Sequence, residues 1–142
     1  VLFRSKNLRA NRINAVAIHG GLSQNKRTNT LGLFNDAKVE ILVCTDVAAR
    51  GLHIDNVSHI YNYDLPRDPN DYIHRIGRTA RAGEEGKVVN LLSSDGYESF
   101  SRIQRDYSFS VEKKQRPFLK QIVVSRETQE RRMHQRPRWA HR

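Results

Sequence analysis

The sequence predicts an α/β domain, with five short parallel strands in one sheet and helices on both faces. Three observations predict it. Short apolar runs rich in Val, Ile and Leu alternate with polar segments of helical length, the pattern of strands buried on both sides. Glycine pairs, Thr-Asp and Arg-Gly follow several of those runs, where such sheets gather their ligand-binding loops. The length, 142 residues, fits one core and little more.

Residues 1–3 (Val-Leu-Phe) read as a first strand with no preceding turn and no initiator Met, so the chain is expected to be a fragment. Residues 4–13 are polar apart from Leu8 and Ile13 and fit a helix of about two turns at most. Residues 14–19 form a second strand that runs into Gly20-Gly21. The link between these strands sits at the lower limit of the dozen or so residues a right-handed crossover needs. Ser23 is placed to cap the next helix, whose apolar Leu31 and Phe34 lie three apart. Residues 38–44 give strand three, and Val47-Ala-Ala is a short helical piece closed by Gly51. Residues 57–61 give strand four. A helix over residues 68–76 follows, with Asp68 as cap, Pro69 at the first helical position and Asp71 three residues after the cap. Residues 87–92 give strand five. Asp95 then opens a last helix with Glu98 at the capping-box position and Tyr97, Phe100 and Ile103 on one side. Periodicity weakens after about Tyr107, and residues 118–124 either add an edge strand or pack against the body. The folded domain is expected over residues 1–124, followed by a basic tail over 125–142 that carries six arginines against two glutamates.

Formal net charge is +10, from 25 Lys and Arg against 15 Asp and Glu. That balance points to a polyanionic partner, nucleic acid before an acidic membrane surface. Cys44 is the only cysteine, which excludes an internal disulfide, argues against a zinc cluster and suits a reducing cytoplasm. It reads as a small buried hydrophobe. There is no secretory h-region and no apolar run of membrane-spanning length.

Three stretches carry chemistry. In the segment from Asp68 to Gly83, Arg75, Arg78 and Arg81 recur at spacing three, which keeps side chains on one face of a helix. Cations so close repel unless solvent or an anion holds them, so the segment is either a solvated basic helix or a polyphosphate clamp. The segment Cys44-Thr-Asp-Val-Ala-Ala-Arg-Gly-Leu-His-Ile54 leaves a strand end with a hydroxyl, a carboxylate and a glycine-bounded turn. Such an end can hold a phosphate or a nucleotide sugar, and Asp46 is either a turn residue or a link between Arg50 and Arg78. The segment from His19 to Arg27 joins a glycine turn to a helix start, a natural anion site. Gln24 and Arg27 can reach one phosphate there, although a capped surface helix has the same look. Lys26 and Arg27 near a helix start oppose its dipole, which favours a ligand-binding reason for them. There is no Gly-x-x-x-x-Gly-Lys-Ser/Thr loop and no evident magnesium-binding carboxylate pair. An ATP site would have its other half elsewhere.

Taken in order, Ser23-Gln-Asn-Lys-Arg27, Thr45-Asp-Val-Ala-Ala-Arg-Gly51 and His74-Arg-Ile-Gly-Arg-Thr-Ala-Arg81 resemble the C-terminal (second) RecA-like domain of a DEAD-box ATP-dependent RNA helicase, over about residues 1–124. His74 favours this family over related helicases with Gln there. The resemblance implies an ATP-dependent RNA helicase in the full-length protein, with this fragment inactive alone. It implies ATP and RNA as ligands and an N-terminal RecA-like domain as partner, which holds the P-loop and Mg2+. Arg78 and Arg81 correspond to arginine fingers, His74 to a link between the domains and Gly51 to the loop near the nucleotide. Arg4, Gly20, Gly21, Gln24, Arg27 and Thr45 correspond to positions that grip the RNA sugar-phosphate backbone, and Asp46 and Arg50 to residues that couple the two sites. Arg75 is assigned only support of its helix. His53 stands where the family usually has an Asp, Ala80 replaces a common Gly, and the segment after Phe3 is shorter than the family pattern. The alternative is a non-catalytic RNA-binding or interaction module with vestigial ATPase features.

Overall fold

The computed structural model describes residues 1–52, 54, 57–80, 85–108, 110–120 and 122–124. Its elements alternate: α1 (Leu2–Ala10), β1 (Ala15–Ile18), α2 (Gln24–Asn35), β2 (Ile41–Cys44), α3 (Asp46–Ala49), β3 (His59–Asn62), α4 (Pro69–Ile76), β4 (Lys87–Asn90) and α5 (Gly96–Tyr107). All strand pairing is parallel. Ala15 lies opposite Ile41 and Ile18 opposite Cys44, while His59 lies opposite Lys87 and Asn62 opposite Asn90.

The α/β class and the parallel pairing agree with the sequence, but the strand count does not. Among the described residues there are four strands in two separate pairs, not five in one sheet. The missing one is residues 1–3, which lie in or against α1: the Val1 carbonyl accepts the Ser5 N–H at 3.0 Å and the helix starts at Leu2. The cause is length. Between Phe3 and Ala15 there is too little chain for a crossover helix and both of its loops, so the helix extends back through the apolar residues. Leu2 and Phe3 are left exposed as a result.

Ala15 and Ile18 of β1 are buried together with Val39, and α1 and α2 lie against this strand. Ser23 has the extended backbone of an N-cap, yet its hydroxyl makes no capping bond. The one-turn α3 is capped by Thr45, whose Oγ1 accepts the Ala48 N–H at 3.3 Å. Gly51 then turns the chain at φ +76°, a left-handed conformation that favours glycine.

The second half is built around α4. Asp68 Oδ1 accepts the Asn70 N–H at 2.8 Å, Pro69 opens the helix, and Asp71 in the first turn with His74 and Arg75 in the last suit the helix dipole. Tyr72 of α4 and Ile103 of α5 are buried, the two helices lie against each other, and the Tyr72 hydroxyl reaches Asn90 of β4. The capping box expected at Asp95 does not form. Asp95 is itself helical in φ and ψ and accepts the Ser94 hydroxyl, while Glu98 pairs with Arg102 one turn on. Residues 118–120 and 122–124 form no strand among the described residues. They meet the body through Asn11, whose Nδ2 donates to the Val123 carbonyl at 2.9 Å and whose Oδ1 accepts the Val123 N–H at 3.3 Å. No described helix is long and apolar enough to cross a membrane. His53, Arg81, Gly83 and the basic tail lie outside the described residues.

Candidate functional site

The carboxyl ends of β2 and β3 meet at one side chain, Arg75. Its Nε and Nη2 donate to the two carboxylate oxygens of Asp46 at 2.5 and 2.6 Å, a two-pronged charge-assisted pair. Its Nη1 donates to the Asp64 carbonyl at 2.6 Å and to Asn62 Oδ1 at 3.2 Å. The network continues: Asn62 Nδ2 donates to Asn90 Oδ1 at 2.8 Å, and Asn90 Nδ2 donates to the Tyr72 hydroxyl at 3.0 Å. One guanidinium therefore ties the loop after β2 to the end of β3, and two asparagines carry the tie across β4 to α4. Every buried side-chain nitrogen and oxygen described has a partner, as a buried polar network requires.

Arg75 was assigned only helix support by its sequence, and it is the hub of the site. The spacing of the three arginines does not reveal this position. The helix ends at Ile76, so Arg78 follows α4 rather than continuing a face with Arg75. Within α4, Arg75 stands three residues from the buried Tyr72 and shares its inward face. That relation to Tyr72 was the available signal.

Arg50 crosses to the same helix, its Nη2 on Asp71 Oδ1 at 2.9 Å. Asp46 and Arg50, the two residues read as couplers, thus both reach α4 from opposite ends of α3, though Arg50 does so through a largely exposed pair. His74, three residues beyond Asp71, is exposed. Arg78 is half-buried, and its segment is pinned to the start of β3: the Arg78 carbonyl accepts the Val57 N–H at 3.4 Å, and the Thr79 hydroxyl donates to the Val57 carbonyl. Gly86 packs under this segment, so close that a Cβ there would meet the Ala80 nitrogen at 2.6 Å.

The residues expected to grip RNA are divided. Thr45 caps α3 beside Asp46. Arg4 stacks over the Tyr63 ring, 3.7 Å from its centroid, and pairs with Asp64 at 2.9 Å, which brings it next to the Arg75 network. Arg27 Nη1 donates to the Ala48 carbonyl at 2.9 Å and so joins α2 to α3. Gln24 is exposed. At the glycine turn the Gly21 N–H donates to His19 Nδ1 at 3.1 Å, and Gly20 is exposed with open space around it. Cys44 is exposed at its strand end rather than buried. Enough protein still surrounds its sulfur that desolvation raises the thiol pKa above its ordinary value, with Asp46 adding to the rise and Arg75 opposing it. No cluster of His, Cys, Asp and Glu among the described residues could hold a metal ion.

Residues 2–83 match the helicase conserved C-terminal domain family. The DEAD-box ATP-dependent RNA helicase CshA of Geobacillus kaustophilus is 44% identical over 109 residues, which is 77% of this chain and 23% of that protein. The ATP-dependent rRNA helicase RRP3 of Eremothecium gossypii is 56% identical over 90 residues, 63% of this chain and 18% of that protein. The chain thus spans about a fifth of the length of these curated relatives. A DEAD box protein from the hyperthermophile Methanococcus jannaschii superposes with a TM-score of 0.69 at 39% identity, over 75% of this chain and 29% of that one. The chain belongs to the helicase conserved C-terminal domain family, as a C-terminal RecA-like domain of the DEAD-box kind.

Proposed function

We propose that this chain is the second half of an ATP-dependent RNA helicase, contributing arginine fingers to ATP hydrolysis and part of the surface that holds the RNA backbone. The observation that carries the reading is the Arg75 tie, which joins the Thr45-Asp46 loop to the helix that presents His74 and leads into Arg78. A displacement of the loop by RNA would be felt at α4, and the reverse. Such a shared element is what coupling between two binding sites requires.

In this reading residues 1–124 form the domain and residues 125–142 a basic tail, in a protein of the cytoplasm. An N-terminal RecA-like domain holds the P-loop and Mg2+, and ATP and RNA each bridge the two domains. From this chain Gly51 approaches the nucleotide, and Arg78 and Arg81 reach the γ-phosphate on closure. Their chemistry fits charge developing on a transferred phosphoryl group. Arg4, Gly20, Gly21, Gln24, Arg27 and Thr45 line the path of the RNA sugar-phosphate backbone. Backbone contacts position RNA without reading its sequence. RNA bent in the closed state cannot remain in a duplex, and hydrolysis opens the clamp.

The test joins this domain to a P-loop partner domain and measures RNA-stimulated ATP hydrolysis. Arg78→Ala and Arg81→Ala should each lower kcat by about 10³-fold or more. Near-unchanged turnover in both would remove the finger assignment.

A further inference from the structure

The β3–β4 pair has one covered face and one open face. Asn62 and Asn90 turn toward α4 and Ile60 alternates onto the same side, whereas His59, Tyr61 and Tyr63 alternate onto the other side and are exposed. Tyr61 is 64% and Tyr63 57% exposed, high values for large aromatic rings. The rings are arranged. His59 and Tyr61 lie nearly parallel, with centroids 6.1 Å apart and an interplanar angle of 11°. Tyr63 carries the Arg4 guanidinium on its ring at 3.7 Å. Beside Tyr63 an open recess of about 260 Å³ is floored by Leu91 and Leu92 and edged by Asp64 and Ser93. Cations stand at both ends, Arg4 by Tyr63 and Lys87 opposite His59 in the strand register.

We propose that this face is a stacking platform for the bases of unpaired RNA, with one base seated in the recess beside Tyr63. Aromatic rings interleaved with cations suit a strand that offers a π-face and a phosphate at every step. Spacing selects the single strand. Rings two residues apart on a β-strand are separated by about 6.6 Å, roughly twice the ~3.4 Å rise of stacked bases. Bases lying on successive rings are therefore unstacked from one another, which a duplex cannot supply. A chain of net charge +10 attracts that polyanion rather than a second copy of itself. The platform shares with the proposed function the premise that RNA binds and one residue, Arg4. It differs in using bases where the motif residues would use the backbone, so some preference among bases is expected from it.

The test is binding of this chain, without nucleotide or partner domain, to a fluorescent single-stranded RNA and to an abasic strand of equal length and charge. Tyr61→Ala and Tyr63→Ala should each weaken binding of the base-bearing strand about tenfold. Tyr61→Phe and Tyr63→Phe should stay within about twofold, and no variant should change binding of the abasic strand. Photo-crosslinking of 4-thiouridine RNA to the unsubstituted chain should give adducts at Tyr61 or Tyr63, a readout that needs no variant to fold. Equal affinity for the two strands, or crosslinks only elsewhere, would overturn the platform and leave the backbone-grip reading standing. Self-association of the chain that Tyr61→Ala abolishes would overturn it too, by assigning the face to a protein contact.

Discussion

At the scale of single residues the site depends on Arg75 more than on any residue its motifs advertise. Its guanidinium satisfies four acceptors on three residues, and its side chain is only 23% exposed. Removing it leaves the Asp46 carboxylate and Asn62 short of partners in a half-buried setting. Arg75→Ala should therefore cost about 2 kcal/mol of unfolding free energy, read by urea denaturation. Arg75→Lys should recover less than half of that, because an ammonium cannot match both carboxylate oxygens and two further acceptors at once. Cys44 reports on the same charges. Burial and then Asp46 raise its thiol, with Arg75 pulling the other way. A raised acid holds its proton longer in the folded state, so this group's contribution to stability is complete below the ordinary thiol range and is lost as pH rises through the folded value. Iodoacetamide labelling of the native chain near pH 8 should be slower than that of the urea-unfolded chain despite the exposed position. Asp46→Asn should speed it; unchanged labelling would separate Cys44 from the network.

Elements show which parts of the chain write their own structure. The helix α4 was legible because its start is chemical: Asp68 and Pro69 act locally and as read, whereas Asp71 sits in the first turn but gives its carboxylate to Arg50. β1 to β4 were legible as apolar runs. Three readings failed for reasons beyond the local pattern. Residues 1–3 join a helix because the following link is too short to make them a strand. Glu98 has an arginine one turn on that outcompetes the capping box. Arg75 is placed by contacts with Asp46, Asn62 and Asp64, which no spacing along the chain records. The loop after α4 gives an element-scale prediction. Ala80 sits at φ +55°, a left-handed conformation that an alanine adopts at a cost and glycine does not. Ala80→Gly should accordingly raise stability by about 1 kcal/mol, less the extra entropy glycine gives the unfolded chain. Gly86→Ala should lower it by about 1 to 3 kcal/mol, since the added methyl meets the backbone of Ala80 and the Thr79 side chain. Thermal melts of the two variants should move in opposite directions. If both fall, the backbone conformation at Ala80 is held by its surroundings rather than tolerated.

For the whole molecule the governing quantity is charge, and it is unevenly divided. Residues 126–142 carry six arginines and two glutamates, so a large part of the net +10 sits in one short stretch. The affinity such a stretch adds comes from released counterions, which makes it independent of base sequence and steep in salt. The platform on β3 and β4 would behave oppositely, since stacking requires bases and releases few counterions. Deleting residues 126–142 should therefore weaken RNA binding by a similar factor for every sequence and reduce the slope of log affinity against log salt by up to about 3. Tyr61→Ala should instead weaken binding with little change of slope. Affinity measured from about 50 to 200 mM salt for the deletion, the tyrosine variant and their combination separates the two contributions. Additive losses with distinct slopes would mean that tail and sheet face hold the RNA independently. An unchanged slope after the deletion would assign the arginines of the tail to something other than RNA.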